Sequence, residues 1–362
     1  MSVELLTRRR APHRRTPCRL TRRPIVSVVI PCYNYKRFLK EAVDSVLIQE
    51  DVDLDVIIVD DASTDGSREL AAELAADDQR IRAVLHTTNM GHIATYNDGL
   101  TRVAGDYVVL LSADDLLSPG SLARAAALME QHPEVGLVYG YAQEFHDKPL
   151  KNRSGRTSWS FWSGEEWIAH HCRRGSNIIV NPEAMLRRSV MDEVGGYRAD
   201  MPHAADMHLW LHAASLAGVG RVNGPVQAYY RVHGQNMHLT DFGSPLDDLT
   251  ARRQVFDSIC SLTRVAGMRP RRLEKLARRA MAEEAVREAI HIWDTRPDLT
   301  GRAEQLTAFA METDGSISQS RLWSSYLRRL TAATYRGDKA IFAATYRWRW
   351  SYRWRRWRRE GV

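Results

Sequence analysis

Residues 25–34 read Ile25-Val26-Ser27-Val28-Val29-Ile30-Pro31-Cys32-Tyr33-Asn34, and the fold turns on this run. Its β-branched residues carry no charge among them and end at a proline. A strand with one wet face would alternate apolar with polar, so this is a short strand buried on both faces. Residues 38–47 then place apolar side chains at helical spacing. The alternation repeats as strand 56–59, helix 68–76, strand 81–85, helix 94–103, strand 107–111, helix 121–131 and strand 135–141. Units this short need crossover connections, which predict an α/β fold: a mostly parallel, Rossmann-like sheet with helices on both faces.

In such a sheet ligands bind beyond the carboxyl ends of the strands. There the sequence places Cys32-Tyr33-Asn34 after the first strand, Asp60-Asp61 after the second and Asp114-Asp115 after the fourth. The run from Asp60 to Ser67 also reads as an ordinary helix N-cap. Two adjacent carboxylates nevertheless repel each other, and they need a cation, a ring N–H or a ribose hydroxyl as partner. Hard oxygen ligands like Asp114 and Asp115 suit Mg²⁺ or Mn²⁺, completed by substrate phosphates. Between the pairs lie Asn89-Met90-Gly91 and Asn97-Asp98-Gly99, where small and amide residues either let backbone approach a ligand or simply enter a helix.

Taken together, Ser27 to Asn34, Asp60 to Ser67, Asn89-x-Gly91, Asn97-x-Gly99 and Asp114-Asp115 resemble family 2 of the inverting glycosyltransferases, over roughly residues 25–240. The resemblance implies a GT-A fold, a nucleotide-sugar donor and a divalent metal. It further implies that Tyr33 and Asp61 meet the nucleotide base, that Asp60 shapes the base pocket, and that Asp114 meets the ribose and Asp115 the metal. Pro31, Asn34, Asn89, Gly91 and Asn97 would line the donor site. Asp206 opens an amphipathic helix with Leu209, Trp210 and Ala213 on its buried side, so a plain helix cap is one reading. In the family an Asp before a similar Leu-Trp-Leu resembles a catalytic base. The family's preceding acid is Ala205 here, which puts the acceptor preference in question. In Tyr230-Arg231-Val232-His233, the family pattern implies Arg231 against donor phosphate and His233 in the metal shell, whereas the bare sequence reads His233 as a structural hydrogen-bonder.

The chain has 362 residues, is 44% apolar and carries a formal charge of +7. That is enough apolar material for a core of one large or two ordinary domains. Its four cysteines are far apart, which suits a reduced compartment and argues against a cysteine zinc site. Neither a signal-peptide run nor about 18 consecutive apolar residues occurs, so the expected location is cytoplasmic. Arginine crowds both ends. The expected organisation is a basic, solvated arm over 1–24, a transferase domain over 25–245, a helical region over 246–340, and a Trp/Arg-rich tail over 341–362. Within the middle, 178–180 reads as a strand and 207–217 as a helix; beyond 245, helices are expected over 249–265, 271–293 and 301–311.

In the tail, Tyr346, Trp350, Trp354 and Trp357 share a helical face among arginines. That pattern favours an interfacial helix on anionic lipid over an ordinary helix or disordered tail and over a nucleic-acid contact, and a lipid-linked or glycan acceptor would make such an anchor useful. A non-catalytic nucleotide-binding scaffold of the same fold is the alternative reading. A nucleotidyltransferase would need a Gly-rich basic loop where Pro31-Cys32-Tyr33-Asn34 stands.

Overall fold

The computed structural model describes residues 13–149, 157–234, 236, 244–262, 270–331, 352, 355–357 and 361–362. The chain forms two compact units, each built from separate stretches. The first takes 1–164, 180–196 and 216–232, and the second takes 165–179, 197–215 and 233–362.

The first unit holds strands β1 (His13–Arg15), β2 (Ile25–Cys32), β3 (Asp53–Asp60), β4 (Ile81–Leu85), β5 (Tyr107–Leu110), β6 (Leu116–Leu117), β7 (Val135–Tyr139), β8 (Ala142–Phe145), β9 (Ser158–Trp162), β10 (Met185–Arg187), β11 (Gly218–Asn223) and β12 (Ala228–Arg231). Among the described residues they form a nine-stranded sheet, ordered β1-β9-β11-β7-β10-β5-β2-β3-β4, and a small sheet, β6-β12-β8. Strands β5, β2, β3 and β4 run parallel, as the alternation requires. The expectation of a mostly parallel sheet needs correction elsewhere. Strand β10 enters antiparallel between β5 and β7, and β9 pairs antiparallel with both β1 and β11. Strands β9, β10 and β11 come from the less regular half of the chain and β1 from the N-terminal arm, outside the strand–helix alternation that sets the parallel half.

The run that predicted the fold is buried on both faces. Val26, Val28 and Ile30 share a core with Leu39, Val43 and Val46 of α1 (Lys36–Leu47) and with Leu122 and Leu128 of α4 (Ser121–Gln131). On the opposite face Val29 and Val59 lie against α3 (His92–Leu100), so closely that a Cβ on Gly99 would collide with Val29 Cγ1. Helix α2 (Ser67–Asp77) follows the Asp60 loop and packs on β3 and β4, and α6 (Arg188–Val194) follows β10.

The basic arm is not wholly solvated. His13 to Arg15 pair with β9 in register with Phe161 to Trp159. Arg22 donates to Asp106 at 2.9 Å and to Glu130 at 2.7 Å. The arm's charge finds acids in its own unit, a pairing between residues too distant in sequence to be read from composition.

The second unit is helical: α5 (Gly164–Arg174), α7 (Ala205–Leu216) and helices Pro245–Ser261, Pro270–Thr295, Thr300–Thr313 and Arg321–Thr331. The long helix Pro270–Thr295 packs on the other three of that C-terminal group. Leu209, Trp210 and Ala213 of α7 are buried, as their spacing predicts. The strand expected at 178–180 is absent. Ile178 and Ile179 are buried, but the Asn177 side chain takes both the N–H and the carbonyl of Ile179, which a sheet neighbour would otherwise use. Among the described residues no helix is long and apolar enough to cross a membrane. Most of the tail, 341–351, 353–354 and 358–360, lies outside the described residues, and the expected interfacial helix with it.

Candidate active site

Three loops at the carboxyl ends of β2, β3 and β5 gather the polar residues of the first unit. Asn34 adopts a left-handed backbone at φ +58°, a conformation Asn tolerates better than most residues. Its side chain accepts from Thr64 N at 2.8 Å, while its own N–H donates to Ser63 Oγ at 2.9 Å. Asp65 accepts from Lys36 N and from Ser67. Ser63, Thr64 and Asp65 are therefore spent on fastening the second loop to the first. Pro31 pairs with Val59 in the ladder, and Tyr33 stands 47% exposed at the rim.

Asp60 is fully buried. Its Oδ2 accepts from Ser63 N at 3.0 Å, and its Oδ1 has no hydrogen-bond partner among the described residues. Asp61 is better provided for. Its Oδ1 accepts from Met90 N (2.8 Å) and bonds His86 Nδ1 (2.9 Å), and its Oδ2 accepts from Gly91 N (2.9 Å). Burial pushes the Asp61 pKa up, but the donors from Met90, His86 and Gly91 together outweigh it and hold the carboxyl below its ordinary value. His86 in turn bonds Asp98 at 3.2 Å, and its two carboxylate partners overcome burial to raise its pKa. Gly91, at φ +83°, supplies the backbone this turn needs, and Asn89 caps it by accepting from Gly91 N at 3.0 Å.

Asn97 and Gly99 divide. Gly99 serves helix-to-sheet packing, while the Asn97 amide lies against Gly196, where a Cβ would come within 2.6 Å of its oxygen. The helix entry lies at Gly91, the N-cap of α3, and Gly99 stands in that helix's last turn.

Asp114 and Asp115 follow β5, both buried. Burial first, and the neighbouring Asp114 second, push the Asp115 carboxyl well above its usual range. Asp115 Oδ1 accepts from the backbone N–H of Arg231 at 2.9 Å, and Arg231 Nε donates to the Asp114 carbonyl at 2.8 Å. The guanidinium is 4.5 Å from the Phe38 ring centroid and 4.4 Å from that of Phe145, and it donates to Glu41 at 2.5 Å. Arg231 thus fixes the acidic pair from behind. Around the pair stand Tyr35, Tyr96 and Tyr230; burial raises each phenol's pKa, and the two carboxylates add to it. Tyr96 OH bonds Ser112 Oγ and accepts from Asn181 Nδ2, each at 3.1 Å.

No three His, Cys, Asp or Glu side chains among the described residues form a ready metal cage. The donor set still fits Mg²⁺ or Mn²⁺, which commonly take one or two carboxylates and fill the remaining positions with water and phosphate. The charge that burial disfavours on Asp115 is one that a cation would stabilise.

Asp206 and His233 belong to the second unit. Asp206 stands in the first turn of α7, and its Oδ1 accepts from Met207 N at 2.6 Å. Burial lifts its pKa to about 6; the Met207 N–H and His203 oppose that rise, and Asp248 adds to it. His233 and Asn236 close a turn through His233 N to Asn236 Oδ1 (2.6 Å) and Asn236 N to His233 O (3.2 Å). His86, Glu41, Tyr35 and Tyr96 escaped the sequence reading, and Tyr230 entered it only within the Tyr230-Arg231-Val232-His233 motif, with no role of its own. Only His86 carried a usable signal, since it directly follows β4 at the same edge as the acidic pairs.

Residues 27–195 match the profile of Glycosyl transferase family 2. Over 211 residues the chain is 30% identical to the O-antigen biosynthesis protein RfbC of Myxococcus xanthus, covering 58% of this chain and 16% of that protein. The fold is shared with S. aureus TarS residues 1–349, solved in complex with UDP-GlcNAc, at TM-score 0.58 and 15% identity over 81% of this chain and 91% of that one. It is shared also with the mannosyltransferase PcManGT from Pyrobaculum calidifontis in complex with GDP-Man and Mn²⁺, at TM-score 0.53 and 18% identity over 90% and 87%.

Proposed function

Because its segment 27–195 belongs to glycosyl transferase family 2, we propose that this chain transfers a sugar from a nucleoside-diphosphate donor to an acceptor hydroxyl in glycan synthesis, with inversion at the anomeric carbon. The observation that carries the reading is the buried Asp114-Asp115 pair at the end of β5, braced by Arg231 and ringed by three tyrosines. Such a pair costs stability unless its charge is used.

Tyr33, Asn34, Asp60, Asp61, Asn89 and Gly91 form the nucleotide end of the site, with Asp114 on the ribose. Asp60, fully buried, shapes that end through its bond to Ser63 N. Asp115 holds the divalent ion, with His233 as a further donor; when bound, the ion supplies Lewis-acid stabilisation of the departing diphosphate. Asp206 takes the proton from the acceptor hydroxyl as that oxygen attacks. Its pKa near 6 leaves it ionised, yet still basic enough for the task, at neutral pH. A single displacement needs one base. The Trp/Arg tail over 341–362 attaches the enzyme to the cytoplasmic face of an anionic membrane, where a lipid-linked acceptor is at hand.

The test is thermal-shift screening with UDP, GDP, dTDP and their sugars, with and without Mn²⁺, followed by NMR of the product's anomeric configuration. A Mn²⁺-dependent rise with one nucleotide and an inverted product bear the reading out. No response to any of them, or a retained configuration, overturns it.

A further inference from the structure

The helix Arg321–Thr331 reads Arg-Leu-Trp-Ser-Ser-Tyr-Leu-Arg-Arg-Leu-Thr. At 3.6 residues per turn its apolar side chains occupy one arc, and that arc is only half used by the fold. Tyr326 is buried, with its ring 6.5 Å from that of Trp293. Arg329 is buried beside it and donates to Asp294 at 2.9 Å. These contacts fix the helix's rotation about its axis. Leu322 is half-buried; Trp323, Leu327 and Leu330 stand at i, i+4 and i+7 and form a ridge in which Leu327 at 44% and Leu330 at 42% are exposed, while Trp323 is half-buried with its ring 5.7 Å from that of Tyr326. Arg321 and Arg328 are exposed along the helix's polar side.

We propose that this helix is a membrane-docking element: the Trp323–Leu327–Leu330 ridge enters the acyl boundary of an anionic bilayer while Arg321 and Arg328 meet lipid phosphates. Charge complementarity argues for that occupant. The exposed charges on the helix's polar side are arginines, and the chain that continues past Thr331 ends in a segment dense in Trp and Arg. A protein partner that buried this ridge would leave those cations with no assigned counter-charge, whereas an anionic surface supplies one to each. A Trp beside two leucines and basic residues is the composition of an interfacial helix. The inference deepens the membrane reading of the tail and rests on it for the kind of lipid. It moves part of the attachment onto a rigid element whose orientation the Arg329–Asp294 pair sets.

The experiment is flotation of the full-length protein with vesicles of phosphatidylcholine alone or mixed with phosphatidylserine. Three forms are compared with the parent: Leu327→Glu/Leu330→Glu, Arg321→Glu/Arg328→Glu, and a chain cut after Ala344. Both double variants should bind phosphatidylserine vesicles about tenfold less than the parent or weaker still, with unchanged melting temperature and nucleotide response. The cut chain should keep residual, phosphatidylserine-dependent binding that Leu327→Glu/Leu330→Glu abolishes when combined with it. Undiminished flotation of both double variants overturns the docking role of the helix, whatever the tail does. A fall in self-association by sedimentation with flotation unchanged overturns it too, in favour of contact between copies. Loss of binding in the cut chain alone would place attachment in the tail and likewise sink the inference.

Discussion

The backbone N–H of Arg231 donates to the Asp115 carboxylate at 2.9 Å, while the same residue's Nε holds the carbonyl of Asp114 at 2.8 Å. One residue on β12 thus fixes two consecutive acids more than a hundred positions earlier. Its guanidinium is already committed to Glu41 and two aromatic rings. Arg231→Ala keeps the backbone bond but empties the space between Phe38 and Phe145. It should lower stability by about 1–3 kcal/mol in chemical denaturation and weaken the Mn²⁺-dependent donor response. A variant indistinguishable from the parent in both would remove Arg231 from this role.

Asp115→Asn separates charge from shape. In the parent, burial and Asp114 make an ionised Asp115 costly, and the amide removes that cost while its oxygen can still accept from Arg231. The ligand-free variant should melt no lower than the parent at neutral pH, yet lose the donor response to Mn²⁺. A large fall in melting temperature would show that the carboxylate is structural.

Asp206 must be ionised to accept a proton, and burial raises its pKa to about 6. In the parent kcat/KM should therefore rise with pH through about 6 and then level. Asp206→Asn should lower kcat on the order of 10² to 10⁴ and erase that limb, with the nucleotide thermal shift intact. Persistence of the limb in the variant would assign it to another group.

His86, between Asp61 and Asp98, has a raised pKa in the folded state. Its contribution to stability is complete below its unfolded value of about 6.5 and is lost as pH climbs through the higher folded value. Urea midpoints should fall as pH rises above about 6.5 in the parent, and His86→Gln should flatten that slope. Equal slopes would show that the imidazole is not charged in the fold.

At Gly99 two effects of opposite sign compete. Alanine in a helix interior usually gains up to about 1 kcal/mol over glycine, but here its Cβ would collide with Val29 Cγ1 under the sheet. Overpacking of about 1–3 kcal/mol should win, so that Gly99→Ala melts lower than the parent. A higher melting temperature would mean that α3 can shift off β2.

By itself the sequence determined the parallel half of the sheet and the edge at which its acids gather. Val26 to Ile30 and Val56 to Val59 bury both faces, and an unbroken apolar run can do so only when helices cover it on either side. Period and turn chemistry are local, so they can be read along the chain. What a side chain does once it arrives is settled by partners that no spacing announces. Arg231, a phosphate ligand by the family pattern, also braces Asp114 and Asp115, and the oxygens of Asp61 also accept from Met90, Gly91 and His86. The 178–180 run reads as a strand, but Asn177 satisfies the backbone that a neighbour would have paired. Hydrogen bonding and burial depend on the three-dimensional neighbourhood, and a carboxylate's charge state depends on both, so only the folded chain could decide them.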